Sequence, residues 1–272
     1  MVLDILYNMK REMFRRKLSN KTIQTYMFYV KKFLDHNKKK DPKKFSKKDV
    51  REFLYYLQEK GLSGSSLNVA HNALRFMMIE TLHKGMYLKI RFSKIPRKKP
   101  NFLTKEEIKK LLSVIKNEKH YLIVALMYGA GLRVSEVAKL KPEAFDLENL
   151  IGWVRNGKGG KDRPFIIPES LKIKIIKQIK NNKIYLFSGR NNHISTKSIQ
   201  MIVANAGKNA KIKKHVHPHM LRHSFTTHLL QDDEDIATVQ TLLGHVNLET
   251  TIGYSHIVKP KLINTKSPLD KL

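Results

Sequence analysis

The chain contains no cysteine, which excludes disulfides, thiolate metal sites and a cysteine nucleophile. Long apolar runs are also missing. Nothing approaches the ~18 residues of a membrane span, and the longest apolar piece, Tyr121–Tyr128, reads as a buried helix. The N-terminus, MVLDILYNMKREMFRRK, is amphipathic and lacks the apolar core of a signal segment. The expectation is a soluble cytoplasmic protein with no membrane association. Acidic residues are scarce: 23 Asp+Glu stand against 53 Lys+Arg, a formal net charge of +30.

That surplus is spread along the chain. The first 100 residues hold 25 Lys+Arg against 8 Asp+Glu, and the remainder 28 against 15. So much like charge repels itself in a compact fold unless a polyanion answers it. Nucleic acid, bound through counterion release, is the commonest such partner. Thermophilic enrichment in lysine is the bland alternative, but it adds glutamate as well.

At 272 residues the chain is long enough for two domains. Apolar spacings of three and four predict helices over Met1–Lys17, Lys21–His36, Ser46–Lys60 and from Ser63 onward, a four-helix N-terminal domain of residues 1–85. Ser19-Asn20 supplies cap chemistry and Gly61 a stop. Residues 86–100 contain two prolines among many basic residues and read as an extended linker. Thr104-Lys-Glu-Glu107 is a capping box that opens a second domain, 101–272. Within it, Ile151–Arg155 and Arg163–Ile167 flank a glycine-rich turn and predict a hairpin. Helices are predicted near 104–116, 119–128, 169–180, 196–210, 220–230, 235–243 and 249–254, with a short one after Gly129-Ala-Gly-Leu-Arg133. The fold class is mainly α with one small antiparallel sheet.

Chemistry concentrates in a few segments. Arg133 follows a glycine-made turn, and Glu136 three residues later can orient it; alone, this is an ordinary surface pair. Lys158 lies in the hairpin turn, where lysine and glycine are common. His219 and Arg222 sit one turn apart behind Pro218. His245 follows Gly244, and Tyr254 stands in a Thr-Thr-x-x-Tyr-x-His context. The histidines at 215, 217, 219, 223 and 228 raise a zinc reading. It is disfavoured, because His219 and His223 lack the adjacent glutamate of a metalloprotease helix and no cysteine or nearby acid completes a ligand set.

GLRVSE, GKGGKDR, HMLRHSFTTHLL, LLGH and TTxxYxH, in that order and spacing, resemble the catalytic domain of tyrosine recombinases, and the Xer-type members in particular. The first 84 residues resemble that family's core-binding (SAM-like) domain, so the likeness spans essentially the whole chain. Each segment is weak alone, and together they are highly specific. The resemblance implies that Tyr254 attacks a DNA phosphodiester to form a 3′-phosphotyrosyl link and that Arg133 and Arg222 clamp the phosphate's non-bridging oxygens. It makes Lys158 the acid that protonates the departing 5′ oxygen, with His219, His245 and a supporting Glu136 completing the site. Lys94, Arg97, Lys98 and Lys99 of the linker, with Lys161 and Arg163 of the hairpin, become candidate DNA contacts.

No cofactor, metal or ATP is implied. Fixed cations replace the metal of nucleases, and the covalent ester conserves bond energy. Expected partners are a double-stranded, dif-like recombination site and three further copies of the chain in a tetramer, acting in chromosome dimer resolution. A mobile-element integrase, a type IB topoisomerase and a catalytically silent DNA-binding relative remain open; the lack of an arm-binding domain before Met1 favours the Xer reading. Two features depart from the pattern or leave it open. The acidic run Gln231–Asp235 is expected away from DNA or at a protomer contact, and the tail 256–272 is a candidate for docking on a neighbouring subunit.

Overall fold

The computed structural model describes residues 2–84, 101–155, 162–181, 184–190, 192–232, 234–243, 267–270 and 272, with residues 2, 3 and 236 described in backbone only. Cα packing divides the chain into two units, 1–98 and 99–272.

The N-terminal unit is built from α1 (Val2–Arg15), α2 (Asn20–His36), α3 (Lys47–Glu59) and α4 (Gly64–Phe76). Side chains of the residues before the helices close their open N-termini: Ser19 Oγ accepts from Thr22 N at 3.1 Å, and Ser63 Oγ from Ser66 N. At α3 the Asp49 carboxylate reaches back to Ser46 N at 2.6 Å. Gly61, at φ +81°, adopts the left-handed turn that stops α3. The α4 helix runs on through a π-helical turn, Met77–Thr81, where an ordinary α-helix was expected. The apolar stripes meet in one core of Met9, Met13, Val30, Phe33, Phe53, Leu74 and Met77, all fully buried.

The second unit is organised around α6 (Glu118–Gly129), whose residues from Leu122 onward are buried on every side. Around it pack α5 (Lys105–Ser113), α7 (Val134–Ala138), α8 (Lys172–Lys180), α9 (Thr196–Asn209) and α10 (Pro218–Gln231), while α11 (Ile236–Leu243) lies against α10. Thr104 and Glu107 form the expected capping box on α5. The hairpin consists of β2 (Ile151–Val154) and β3 (Arg163–Ile166), paired antiparallel with Gly152 opposite Phe165. A two-residue strand, β1 (Phe145–Asp146), adds to its outer edge. All four residues of β3 are buried, so this strand has no solvent face.

The acidic run serves the fold locally. Asp232 pairs with Lys105 at 2.9 Å, and Asp235 accepts from Thr238 N at 3.2 Å, capping α11. The described end of the tail packs on its own unit. Ser267 Oγ donates to Gly129 O at 2.5 Å, Leu269 joins the core, and the Asp270 carboxylate accepts from the backbone of Glu169 and Ser170. No helix among the described residues is long and apolar enough to cross a membrane.

Candidate active site

Three arginines converge on one glutamate at the end of α11. Arg133 is the residue before α7, and one turn later Glu136 folds back so that its carboxylate accepts from Arg133 N at 2.8 Å and Nη1 at 2.7 Å. The Glu136 Oε2, which takes the Arg133 N–H, also accepts from Arg163 Nη2 at 2.5 Å. Arg222, projecting from the first turns of α10, lies 4.0 Å from the same carboxylate and donates instead to Gly131 O at 2.6 Å. Gly131 is required there. Its φ is +60°, and a Cβ would stand 2.5 Å from Phe225 Cδ1. The turn that presents Arg133 therefore also supplies an acceptor for Arg222.

The last carbonyls of a helix have no partner within it and carry partial negative charge. At α11 the arginines fill that role. Leu243 O accepts from both Arg133 Nη2, at 3.3 Å, and Arg222 Nη2, and Leu242 O accepts from Arg163 Nη1. Two guanidiniums from different segments thus aim at a single oxygen atom.

The charges do not balance. Glu136 is almost fully buried, which by itself raises its pKa. Arg163, then the backbone N–H and guanidinium of Arg133, outweigh that and hold it below 4.5, so it is ionised. Among the described residues, one carboxylate against three guanidiniums leaves a surplus of two positive charges. Burial, then the fields of Arg163 and Arg133, push Arg222 down to about 9 against the pull of Glu136. Arg163 is likewise lowered, by burial first and by Arg133, against Glu136. An incoming anion relieves both shifts, and two planar donors meeting at one point suit a phosphate oxygen.

His219 is exposed on the first turn of α10, its ring 4.2 Å from that of His223 in an edge-on arrangement. Desolvation, then His223, Arg222, His217 and Arg133, hold its pKa below 6.5, so the ring is neutral at pH 7. His217 caps the helix, its Nδ1 accepting from Met220 N at 3.3 Å. His228 is buried against Tyr128, with Nδ1 2.9 Å from the phenol oxygen. The histidines thus divide between helix capping, the arginine cluster and the core. Among the described residues no three of His, Asp and Glu are grouped to hold a metal ion.

The structure therefore brings together Arg133, Glu136 and Arg222, with His219 on the same helix as Arg222. Lys158, His245 and Tyr254 lie outside the described residues, as do Lys94, Arg97, Lys98, Lys99 and Lys161 and the expected helix near 249–254. One expectation is corrected. Arg163 is 5% exposed and bonded to Glu136 and Leu242 O, so it is not a surface contact for DNA. Its neighbours carry the missed signal: Pro164–Ile167 follow it with no polar residue, and a strand without polar alternation is the pattern of one buried on both faces.

Comparison with known proteins places the chain in a family. Residues 101–260 match the phage integrase family and residues 5–86 its N-terminal SAM-like domain. Among curated relatives, the chain is 39% identical over 264 residues to the tyrosine recombinase XerA of Pyrococcus horikoshii, covering 91% of this chain and 90% of that one. A tyrosine recombinase of Thermosipho africanus is 34% identical, covering 89% and 90%. Among solved structures, an XerA recombinase is 26% identical over 100% of this chain and 96% of that one, with a TM-score of 0.51. The Tn1549 transposon integrase in complex with circular intermediate DNA shares the fold at a TM-score of 0.71 and 20% identity, covering 89% and 92%. The chain belongs to the phage integrase family and is a tyrosine recombinase, an enzyme that transfers DNA strands.

Proposed function

We propose that this recombinase cuts and rejoins duplex DNA at a specific site through a 3′-phosphotyrosyl intermediate on Tyr254. The observation that carries this reading is the convergence of Arg133 and Arg222 on one oxygen, Leu243 O, beside a surplus of positive charge. In the reaction, the Tyr254 oxygen attacks phosphorus and the bond from phosphorus to the 5′ oxygen breaks. Lys158 gives its proton to that oxygen. Arg133 and Arg222 hold the non-bridging oxygens as charge builds, and Glu136 keeps Arg133 in line. His219 and His245 complete the site. An unperturbed tyrosine has a pKa near ~10, so the surrounding cations also favour its phenolate. Rejoining is the same step reversed, with a 5′ hydroxyl as nucleophile, and needs neither metal nor ATP.

The N-terminal unit, with Lys94, Arg97, Lys98, Lys99 and Lys161, supplies phosphate-backbone affinity, and four protomers act on two sites. The similarity to XerA proteins favours chromosome dimer resolution at a dif-like site and a role in chromosome partition. A putative integrase/recombinase of Sinorhizobium fredii, 34% identical over 97% of this chain, keeps mobile-element integration as a second reading. Incubating the protein with fragmented DNA of its source genome, trapping adducts in detergent and sequencing them tests all of this. Adducts at one locus, absent for Tyr254→Phe and undiminished by EDTA, are the expected result. Adducts that persist in Tyr254→Phe contradict the nucleophile, and cleavage lost in EDTA contradicts the metal-free mechanism. A single chromosomal locus supports dimer resolution, whereas element ends support integration.

A further inference from the structure

Arg163 has no place in the chemistry just described, yet it is a buried cation in the middle of the site. Its side chain is 6% exposed, as closed off as that of Arg222 at 4% and far more than that of Arg133 at 26%. Its donors face inward, Nη2 to Glu136 on α7 and Nη1 to Leu242 O at the end of α11 and, at 3.4 Å, to its neighbour's carbonyl, Pro164 O. Its own backbone belongs to β3, paired with Val154 of β2 across the hairpin whose turn carries Lys158. One guanidinium therefore ties together three segments: the hairpin, the α7 carboxylate that orients Arg133, and the helix from which the chain runs on to His245 and Tyr254.

The two carbonyls ending α11 are held differently. Leu243 O is held by Arg133 and Arg222, the two arginines whose donors a phosphate also needs. Leu242 O is held by Arg163, whose other guanidinium nitrogen is committed to the Glu136 carboxylate, whereas Arg222 donates only to carbonyl oxygens. When a phosphate draws Arg133 and Arg222 to itself, the Leu243 carbonyl loses both donors and Arg163 keeps its own. We propose that Arg163 is a positioning residue that anchors the C-terminal end of α11 to Glu136 and the hairpin while the other two arginines turn to the DNA phosphate. This rests on the assignment of Arg133 and Arg222 to phosphate binding. The fork geometry matters, because a guanidinium can serve a carboxylate and a carbonyl at once, whereas an ammonium is a point donor.

A merely structural arginine would cost stability when removed. Removing Arg163 also takes a cation from the buried Glu136 carboxylate and the donor from Leu242 O, so a methionine of similar length costs stability as well, and the local readouts separate the two roles. The test uses the full chain as wild type, Arg163→Met and Arg163→Lys. Melting temperature, amide hydrogen exchange and single-turnover adduct formation on the mapped site are all measured. For Arg163→Met the melting temperature is expected to fall, with the protein still folded at the assay temperature. The α11 amides should exchange about tenfold faster while those of α10 are unchanged, and adduct formation should slow by about tenfold or more at equal DNA affinity. Arg163→Lys should recover little of either loss. Unchanged α11 exchange, an unchanged adduct rate, a rate loss that merely follows a fall in melting temperature, or full rescue by lysine would each overturn the proposal. The exchange measurement needs no cleavage, so it judges the anchor even if the wild-type chain forms no Tyr254 adduct, an outcome that would instead count against the functional reading.

Discussion

Helix α10 buries two ionisable side chains, Arg222 near its start and His228 nearly two turns later, at 3% and 1% exposure. Burial does not separate them; their surroundings do. His228 meets Tyr128 in a neutral pair, phenol to imidazole at 2.9 Å, with the His228 pKa lowered mainly by burial and that of Tyr128 raised by it. Arg222 stands among three guanidiniums and one carboxylate, and its donors rest on carbonyl oxygens that α11 and the Gly131 turn supply. A closed neutral pair needs nothing further. An unbalanced cluster held by backbone oxygens is suited to exchange them for an anion. Within one helix, then, residual charge marks the site and burial does not.

The sharpest way to break that contrast is to remove the one carboxylate that the described residues bring to the cluster. Glu136→Gln leaves three guanidiniums unopposed and should cost about 3–5 kcal/mol of stability, lowering the melting temperature by about 6 °C or more. A shift within error would mean the cluster is solvated and not a charged core. Next, Arg222→Gln should slow adduct formation by about 100- to 1,000-fold. Its melting temperature should stay close to that of wild type, because the change reduces like-charge repulsion; a collapse in stability would place Arg222 with the packing residues. On the neutral side, Tyr128→Phe leaves His228 Nδ1 without its partner and should cost about 1–3 kcal/mol, with the adduct rate per folded molecule changed by less than about threefold. A large loss of rate there would erase the distinction.

The smallest effect is one of pH. His217, His219, His223 and His228 all have pKa values below 6.5 in the folded unit. Below 6.5 the unfolded chain takes up protons that the folded one resists, so the stability these groups contribute is complete above 6.5 and is lost as pH falls through their folded values. The melting temperature should therefore decline between about pH 7 and pH 5, before the carboxylates begin to titrate. A flat profile would show that the α10 histidines are as well hydrated as free imidazole.

Much of this could be seen in the residues themselves. The starts of α2, α4 and α5 are written in Ser19, Ser63 and Thr104, because a capping hydroxyl acts on backbone within the next three residues. The hairpin is legible because strand formers flank a glycine-rich turn. Strand β1 is not, since two residues carry no periodicity and Phe145–Asp146 is a strand only through pairing with β2. Arg133 and Glu136 are legible as a pair, being one turn apart. That Arg163 and Leu242 O complete the cluster is not, because those contacts join segments 27 and 79 residues away in sequence. A basic residue beside a lysine-rich turn looks like surface until its strand is seen to be covered on both faces.

The central claim is that the surplus charge around Arg222 awaits one phosphate, and replacing the charge of that phosphate tests it directly. Adduct rates of wild type and Arg222→Gln should be compared on the mapped site with a normal scissile phosphate and with a neutral methylphosphonate in its place. The account predicts that the variant's deficit falls from about 100-fold or more to less than about tenfold on the neutral linkage, since there is little charge left to neutralise. An equal deficit on both substrates would contradict it and make Arg222 a residue of the fold alone.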